Sequence, residues 1–178
     1  ARLIDDLLDL SRLVQGKVRL APELLDLKAV LREAVELVQT QMDRRHQRVE
    51  IEQPAEPVRV SADAMRMRQV LANLLDNAAK YSPPGSRIAV TLAVVGDSAR
   101  LTIRDQGPGI DPSCIESVFE PFVQLAEPGS KPTEGLGLGL PLARELLQMQ
   151  GGLIAVRNVE GGLEVLIELP LATAPPRV

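Results

Sequence analysis

Residues 73–82 read NLLDNAAKYS and carry polar side chains from which a ligand site can be built. Asn73 and Asn77 stand four residues apart and Lys80 follows three later, so on an α-helix all three project from one side. Two carboxamides and an ammonium offer oxygen ligands for a hard cation and a charge for a phosphate, which is what a Mg²⁺-nucleotide needs. A solvated helix face is the alternative interpretation. The opposite side of this helix is apolar, through Met67, Leu71, Leu74, Leu75 and Ala78.

Residues 105–110, DQGPGI, follow the predicted strand LTIRD. Gly107 and Gly109 let the backbone approach a ligand closely, and Pro108 stiffens the turn. The Asp105 carboxylate could accept a hydrogen bond from an adenine amine. An ordinary turn at the end of a strand is the alternative.

Residues 135–140, GLGLGL, place Gly135, Gly137 and Gly139 directly before a predicted helix. Bare backbone N–H groups and the positive end of the helix dipole can then face an anion. The pattern is not G-x-G-x-x-G, because position 140 is Leu, and the chain has no P-loop motif. A helix cap or a flexible hinge remains the alternative.

The aromatic residues are few, one Tyr and two Phe with no Trp, and each lies beside one of these polar groups. Tyr81 could lie over a purine face, and Phe119 and Phe122 could anchor the following loop, residues 124–134. Filling of the core is the alternative role for all three.

Hydrophobic periodicity predicts an α+β sandwich, a mixed and mostly antiparallel sheet covered on one face by helices, with a doubly wound sheet as the alternative. A hairpin-like connection is expected between RVEIE and VRVSA. Ser61 is expected to cap the long helix that ends near Tyr81, and a short helix is expected from Asp111 to before Pro121. The other predicted helices are 1–15, 27–44 and one after residue 139, and the predicted strands are 17–20, 24–27, 48–52, 58–62, 87–95, 99–105, 153–159 and 163–170.

Composition narrows the class of protein. The 178 residues carry 20 Lys+Arg against 24 Asp+Glu, a net charge of −4 that argues against a nucleic-acid partner. The single cysteine, Cys114, excludes an intramolecular disulfide and fits a reducing, cytoplasmic compartment. Because the sequence begins with Ala rather than Met, we expect a processed product or an excised piece of a longer protein.

The four stretches NLLDNAAKYS, DQGPGI, FEPF and GLGLGL resemble, in order and spacing, the N, G1, F and G2 boxes of sensor histidine kinases, relatives of the gyrase and Hsp90 nucleotide domains. DLLDLSRLVQGK at the front is similar to the end of the second dimerisation helix. The resemblance implies a Bergerat-type ATP-binding fold preceded by a short helix. Its implied domains are 1–15 (dimerisation helix), 16–27 (linker with short strands), 28–171 (ATP-binding catalytic domain) and 172–178 (disordered tail).

The resemblance also implies roles for individual residues. Asn77 is expected to ligate Mg²⁺ with Asn73 as its phosphate-side companion, Lys80 to contact phosphate, and Tyr81 to flank the base. Asp105 is expected to read the adenine amine. The remaining implied ATP-binding residues are Gly107, Gly109 and Ile110 in the pocket, Phe119 and Phe122 at the hinge of a mobile lid, and Gly135, Leu136, Gly137, Leu138, Gly139 and Leu140 around the phosphates. Lys131 is the only lid cation that could reach a phosphate.

Two features shape the expected reaction. Hydrolysing relatives carry Glu at the position of Asn73, so Asn favours phosphoryl transfer to a residue over hydrolysis. The acceptor histidine of such kinases lies on a first dimerisation helix that this chain lacks, and the only histidine, His46, has none of its sequence context. The chain is therefore expected to contain no catalytic residue of its own and to show no self-phosphorylation.

The implied partners are the dimerisation and acceptor-histidine helices of the parent kinase and the receiver domain of a response regulator. The parent is expected to be a homodimer, with or without a membrane anchor, and the fragment a monomer or weak dimer. Two alternatives stay open, another ATPase or serine kinase of the same fold and a nucleotide-sensing module without chemistry.

Overall fold

A computed structural model describes residues 7–9, 11–13, 15–124 and 136–172, and residues 7–9 and 11–13 are helical. After these, the described residues form three α-helices, seven strands and two 3₁₀ turns. In chain order the elements are β1 (Glu23–Asp26), α1 (Leu27–Arg44), β2 (Arg48–Glu52), β3 (Arg59–Ala62), α2 (Ala64–Tyr81), β4 (Arg87–Val95), β5 (Ser98–Arg104), the 3₁₀ turns Pro112–Cys114 and Ser117–Phe119, α3 (Gly139–Gln148), β6 (Leu153–Val159) and β7 (Gly162–Pro170).

The main sheet has five strands in the order β2-β4-β5-β7-β6. Only β2 and β4 pair in parallel, and the other three pairings are antiparallel. Alternate residues of the three central strands are buried, so one face of the sheet packs into the core. In the middle row of that face Leu92 pairs with Leu101, and Leu101 pairs with Ile167. The prediction of a mixed, mostly antiparallel α+β sandwich is confirmed, and the doubly wound alternative is wrong.

The predicted hairpin-like connection between β2 and β3 is wrong. β2 joins the main sheet beside β4, with Arg48 opposite Arg87, whereas β3 pairs with β1 in a separate two-stranded sheet. Burial explains the separation, because the side chains of Val58 and Val60 are 1% and 0% exposed and belong to the hydrophobic core. Residues 17–20 form no strand, and β1 starts one residue earlier than predicted, at Glu23.

Helix α2 is capped by Asp63 and not by Ser61. The Asp63 carboxylate accepts hydrogen bonds from the N–H groups of Arg66, at 3.0 Å, and Ala21, at 2.9 Å. Ser61 instead remains in β3, opposite Leu24. Burial acts to raise the pKa of Asp63, but these N–H groups and the Arg66 guanidinium outweigh it and lower the pKa. The cap is therefore ionised and fixes where α2 begins.

The predicted short helix after residue 111 is replaced by two 3₁₀ turns. Its predicted cap is confirmed, since Asp111 accepts a hydrogen bond from the Ser113 N–H at 2.8 Å. Pro112 suits the first turn but supplies no donor, and the stretch is too short to propagate as an α-helix.

The helical residues at the front contact α2. Asp9 accepts from the Arg66 guanidinium at 3.0 Å and from the Gln69 side-chain amide at 2.8 Å. Both partners of the ion pair are largely buried. In the described ranges no helix has the length and apolar character needed to cross a membrane.

Candidate functional site

Helix α2 separates its two sides as the sequence predicts. Its apolar side lies in the core, with Met67, Leu71 and Leu75 fully buried. On the polar side Asn73 is itself 8% exposed, and its Nδ2 is buried without a hydrogen-bond partner. A buried donor without an acceptor is uncommon in native proteins and costs about 1–3 kcal/mol. The solvated-face alternative therefore does not describe Asn73.

The glycine-rich segment meets α2 at this polar side. A Cβ atom added at Gly139 would lie 3.5 Å from Nδ2 of Asn77 and 4.0 Å from Cβ of Asn73. Gly139 is the first residue of α3, and its cap, Leu138, makes no side-chain cap hydrogen bond. The first N–H groups of α3 therefore lie beside the two carboxamides, where an anion can bind both.

Gly137 lies just before α3, beside Phe122 and Val123, which follow the second 3₁₀ turn. It has φ +69°, and a Cβ there would lie 2.5 Å from the Val123 carbonyl oxygen, so glycine is required on both grounds. The Phe122 N–H donates to the Gly137 carbonyl at 3.2 Å. The two ends of the predicted lid are therefore joined at its base. The lid itself, with Gly135 and Lys131, lies outside the described residues.

The two phenylalanines have different roles at this base. Phe119 is buried, and the Arg144 guanidinium of α3 lies 4.8 Å from the centre of its ring and donates to its carbonyl at 3.2 Å. Phe122 is 61% exposed and has φ 67°. Of the three leucines predicted near the phosphates, Leu138 is buried, Leu140 packs against the core and Leu136 is exposed.

Asp105 directly follows β5 and is a buried carboxylate. Its Oδ1 accepts from the N–H groups of Gly107, at 2.9 Å, and Leu163, at 3.0 Å. Within the described part of the chain Oδ2 makes no hydrogen bond and so can accept from a ligand. Burial raises the pKa of Asp105 above its usual range, although the two N–H groups act in the opposite direction.

The near end of the 105–110 turn packs against the end of α2. The Gln106 N–H donates to Oγ of Ser82 at 3.1 Å, and its side-chain oxygen accepts from the Arg87 N–H at 2.8 Å. A Cβ at Gly107 would lie 2.9 Å from the Tyr81 carbonyl oxygen. Glycine at 107 is therefore needed for the close approach of the turn to Tyr81.

The far end of the turn is held by Asn158 of β6, a residue that the sequence analysis missed. Its Oδ1 accepts from the Ile110 N–H at 2.8 Å, and its Nδ2 donates to the Ile110 carbonyl at 2.6 Å. A Cβ at Gly109, which has φ +77°, would lie 2.7 Å from the same Oδ1. Asn158 lies 48 residues from Ile110 along the chain, and no local pattern marks this pairing.

The C-terminal end of α2 is held by two further residues that the sequence analysis missed. The Arg45 guanidinium donates to the carbonyls of Lys80 and Ser82, each at 3.0 Å. The buried Gln47 side chain donates to the Ala79 carbonyl at 2.9 Å. A cation at a helix C-terminus also opposes the negative end of the helix dipole. The last turn of α2 is thereby fixed.

Lys80 and Tyr81 lie at this fixed end. The Lys80 Nζ is 5.2 Å from the centre of the Tyr81 ring, within the range of a cation–π interaction. Tyr81 is 40% exposed, so its ring has a free surface for contact. The structure thus brings three sequence-distant stretches together, the polar side of α2, the 105–110 turn and the start of α3.

Comparison with known proteins gives a consistent result. The family model described as "Histidine kinase-, DNA gyrase B-, and HSP90-like ATPase" matches residues 62–173, more than half of the chain. A curated relative, the "Non-motile and phage-resistance protein" of Caulobacter vibrioides, is 33% identical over 181 residues, which cover 99% of this chain and 21% of that protein. The chain thus spans about a fifth of the length of this relative.

Two solved structures carry the same fold. Full-length ShkA in complex with AMPPNP matches with a TM-score of 0.83 and 29% identity, over 97% of this chain and 36% of that one. The mycobacterial sensor histidine kinase MprB matches with a TM-score of 0.74 and 32% identity, over 85% of this chain and 98% of that one. The chain therefore belongs to the histidine kinase-, DNA gyrase B- and HSP90-like ATPase family and has the Bergerat fold of the ATP-binding catalytic domains of sensor histidine kinases.

Proposed function

We propose that the chain binds Mg-ATP between α2, the 105–110 turn and the start of α3, and donates the γ-phosphoryl group to a histidine outside this chain. The observation that carries the proposal is the approach of Gly139 to Asn77 and Asn73, beside the unpartnered Nδ2 of Asn73. Bare N–H groups and an amide donor without an acceptor suit the oxygens of a polyphosphate.

The adenine is placed at the other end of this site. Oδ2 of Asp105 offers a buried acceptor for the exocyclic amine, because Oδ1 is already held by backbone N–H groups. The exposed Tyr81 ring supplies a flat surface for the base. ATP-binding is a property of the family, and ShkA was crystallised with AMPPNP.

The residues present fit a magnesium ion that arrives with the nucleotide. A carboxamide oxygen of Asn77 is a suitable hard ligand, and phosphate oxygens and waters complete the usual set. When bound, Mg²⁺ neutralises charge on the transferring phosphoryl group. Asn77 orients the ion from α2, Lys80 contributes a second positive charge, and the N–H groups of α3 bind the phosphate oxygens.

Transfer to a side chain is favoured over hydrolysis. A carboxamide at position 73 cannot take a proton from water, so the chain offers no general base there. In the proposed sequence of events a histidine on a dimerisation helix of the parent accepts the phosphoryl group, and an aspartate of a response regulator takes it next. The parent is proposed to act as a homodimer.

Calorimetric titration tests the site. ADP and AMPPNP are titrated, with and without Mg²⁺, into the unmodified chain, Asp105→Asn, Asn77→Ala and the control Asp111→Asn. We expect Asp105→Asn to lower ADP affinity by about 100-fold, because its amide presents a donor to the adenine amine. Asn77→Ala should remove the Mg²⁺ effect, and Asp111→Asn should change neither, because Asp111 is an exposed cap. No binding by the unmodified chain at millimolar nucleotide would overturn the proposal.

Incubation with γ-labelled ATP tests the direction of transfer. The chain alone should retain no label and release little phosphate, because its only histidine, His46, lacks the sequence context of an acceptor and Asn73 offers no general base. Label that stays on the chain and disappears in His46→Asn would contradict this, and Asn is chosen because it tolerates the φ of 55° at this position.

A further inference from the structure

The hairpin of β6 and β7 contacts both ends of the 105–110 turn. Asn158 and Leu163 are cross-strand partners in this hairpin. Leu163 exchanges two hydrogen bonds with Asp105, since its N–H donates to Oδ1 at 3.0 Å and its carbonyl accepts from the Asp105 N–H at 2.9 Å. Asn158 exchanges two with Ile110. A single cross-strand pair thus holds the first and the last residue of the turn.

The Asn158 side chain makes both of its hydrogen bonds to one residue, Ile110. An amide that accepts from the N–H and donates to the carbonyl of Ile110 fixes both the position and the rotation of that residue. Its oxygen occupies the space that a side chain at Gly109 would need. Asn158 is exposed, so two hydrogen bonds that compete with water add little to overall stability.

We propose that Asn158 is a positioning residue for the nucleotide base, an inference that rests on the function proposed above. Asn158 acts through the turn and does not itself contact the nucleotide. With Ile110 held, Gly107 and Gly109 keep the backbone path that aims Oδ2 of Asp105 at the base. Without it, the near half of the turn keeps its hydrogen bonds to Ser82, Arg87 and Leu163, but the far half loses both hydrogen bonds that fix Ile110 and must be ordered when the nucleotide binds.

The test compares Asn158→Ala and Asn158→Asp with the matched control Arg157→Ala. Arg157 is the preceding residue of β6, is also exposed, and pairs with Glu164 at 2.6 Å rather than with the turn. For each variant we measure ADP affinity by calorimetry, hydrogen exchange of the Ile110 amide by NMR, and the midpoint of thermal unfolding.

For Asn158→Ala we expect ADP affinity to fall about 3- to 10-fold relative to Arg157→Ala, the Ile110 amide to lose protection, and the two midpoints to agree closely. Asn158→Asp keeps the acceptor for the Ile110 N–H but places a second carboxylate oxygen beside the Ile110 carbonyl oxygen, and these two oxygens repel each other. This variant should keep the protection of Ile110 and still bind ADP more weakly than the control.

Two results overturn the inference alone: ADP affinity of Asn158→Ala within about twofold of the control, or a loss of affinity accompanied only by a lower unfolding midpoint with Ile110 protection unchanged. Failure of the unmodified chain to bind ADP overturns the proposed function, and this inference falls with it.

Discussion

The two ends of the candidate site differ in how many of their hydrogen bonds are already made. At the base end, where the adenine is proposed to bind, Leu163, Ser82 and Asn158 hold the 105–110 turn, and Oδ2 of Asp105 is left to accept from a ligand. At the phosphate end, formed by the polar side of α2 and the start of α3, Nδ2 of Asn73 is buried without a partner, and the first N–H groups of α3 receive no side-chain cap.

In the proposed function, the base end provides specificity for the base, and the phosphate end is stabilised when the phosphates bind. A base pocket whose backbone is fixed in advance loses little entropy when the base binds, so specificity is built into the fold. A phosphate end with unmet donors is unfavourable until an anion supplies the acceptors, so nucleotide binding should stabilise this end most. Each prediction below breaks one end and leaves the other intact.

The largest effect on the free energy of unfolding is expected at the base end, from Gly162→Ala. A Cβ at Gly162 would lie 2.8 Å from the carbonyl carbon of Asp105, so the alanine must push Asp105 away from Leu163. We expect the free energy of unfolding to fall by about 1–3 kcal/mol, as for other overpacked sites, and ADP affinity to fall by at least about tenfold. Chemical denaturation and calorimetry measure the two quantities.

The neighbouring glycine provides the control for this prediction. Gly161 has φ +76° but nothing within 4 Å of an added Cβ. Gly161→Ala should therefore lose about 1 kcal/mol of stability from backbone strain alone, with ADP affinity unchanged. Equal ADP affinities in the two variants would show that the contact with Asp105 does not set the base pocket.

The next effect is expected at the phosphate end, from Asn73→Leu. Leucine has the same branching and number of side-chain heavy atoms as Asn, and it removes the buried donor that has no partner. Without nucleotide the variant should be more stable than the unmodified chain by about 1 kcal/mol, while its affinity for Mg-ADP falls about tenfold. Denaturation with and without Mg-ADP measures both, and a variant that is less stable without nucleotide would show that Asn73 is satisfied in the free protein.

Local sequence patterns predicted the elements whose signals lie within a few residues. Helix α1 over 27–44 and the strands 87–95 and 153–159 have the predicted bounds, because hydrophobic period and turn residues set them locally. The relation of β2 to β3 was predicted wrongly, since the burial of Val58 and Val60 depends on the whole core.

The residues of the candidate site also divide into those that a local sequence pattern marks and those that only the folded structure brings together. The polar stripe of α2 and the glycines at 107, 109, 137 and 139 can be recognised from sequence because their chemistry is carried by residue type and spacing. Asn158, Arg45 and Gln47 cannot, because each is an ordinary polar residue whose partner lies 32 to 48 residues away. The residues proposed to touch a ligand are therefore easier to find in the sequence than the residues that position them.

The smallest effect is expected from the ionisation of Asp105 in the absence of nucleotide. Burial raises the pKa of Asp105 above its ordinary value of 3.8. The folded state then binds this proton more tightly than the unfolded state, so the carboxyl lowers stability progressively as pH rises from that value through the raised pKa. Asp105→Asn keeps an acceptor at Oδ1 and does not titrate. Relative to the unmodified chain, this variant should become more stable as pH rises from about 4 to 7.

Asp111→Asn provides a control of opposite sign. Hydrogen bonds from the Ser113 hydroxyl and N–H lower the pKa of the Asp111 carboxyl, so its ionised form stabilises the fold above its ordinary pKa and this contribution is lost on acidification. Denaturant unfolding without nucleotide should therefore show the stability of Asp105→Asn, relative to the unmodified chain, rising from about pH 4 to 7. The relative stability of Asp111→Asn should stay constant over this range and recover only on acidification below about pH 4. A constant difference for Asp105→Asn would mean that the buried carboxylate at the base end is solvated as well as an exposed one. The base end would then lack the dry, fixed acceptor that distinguishes it from the phosphate end.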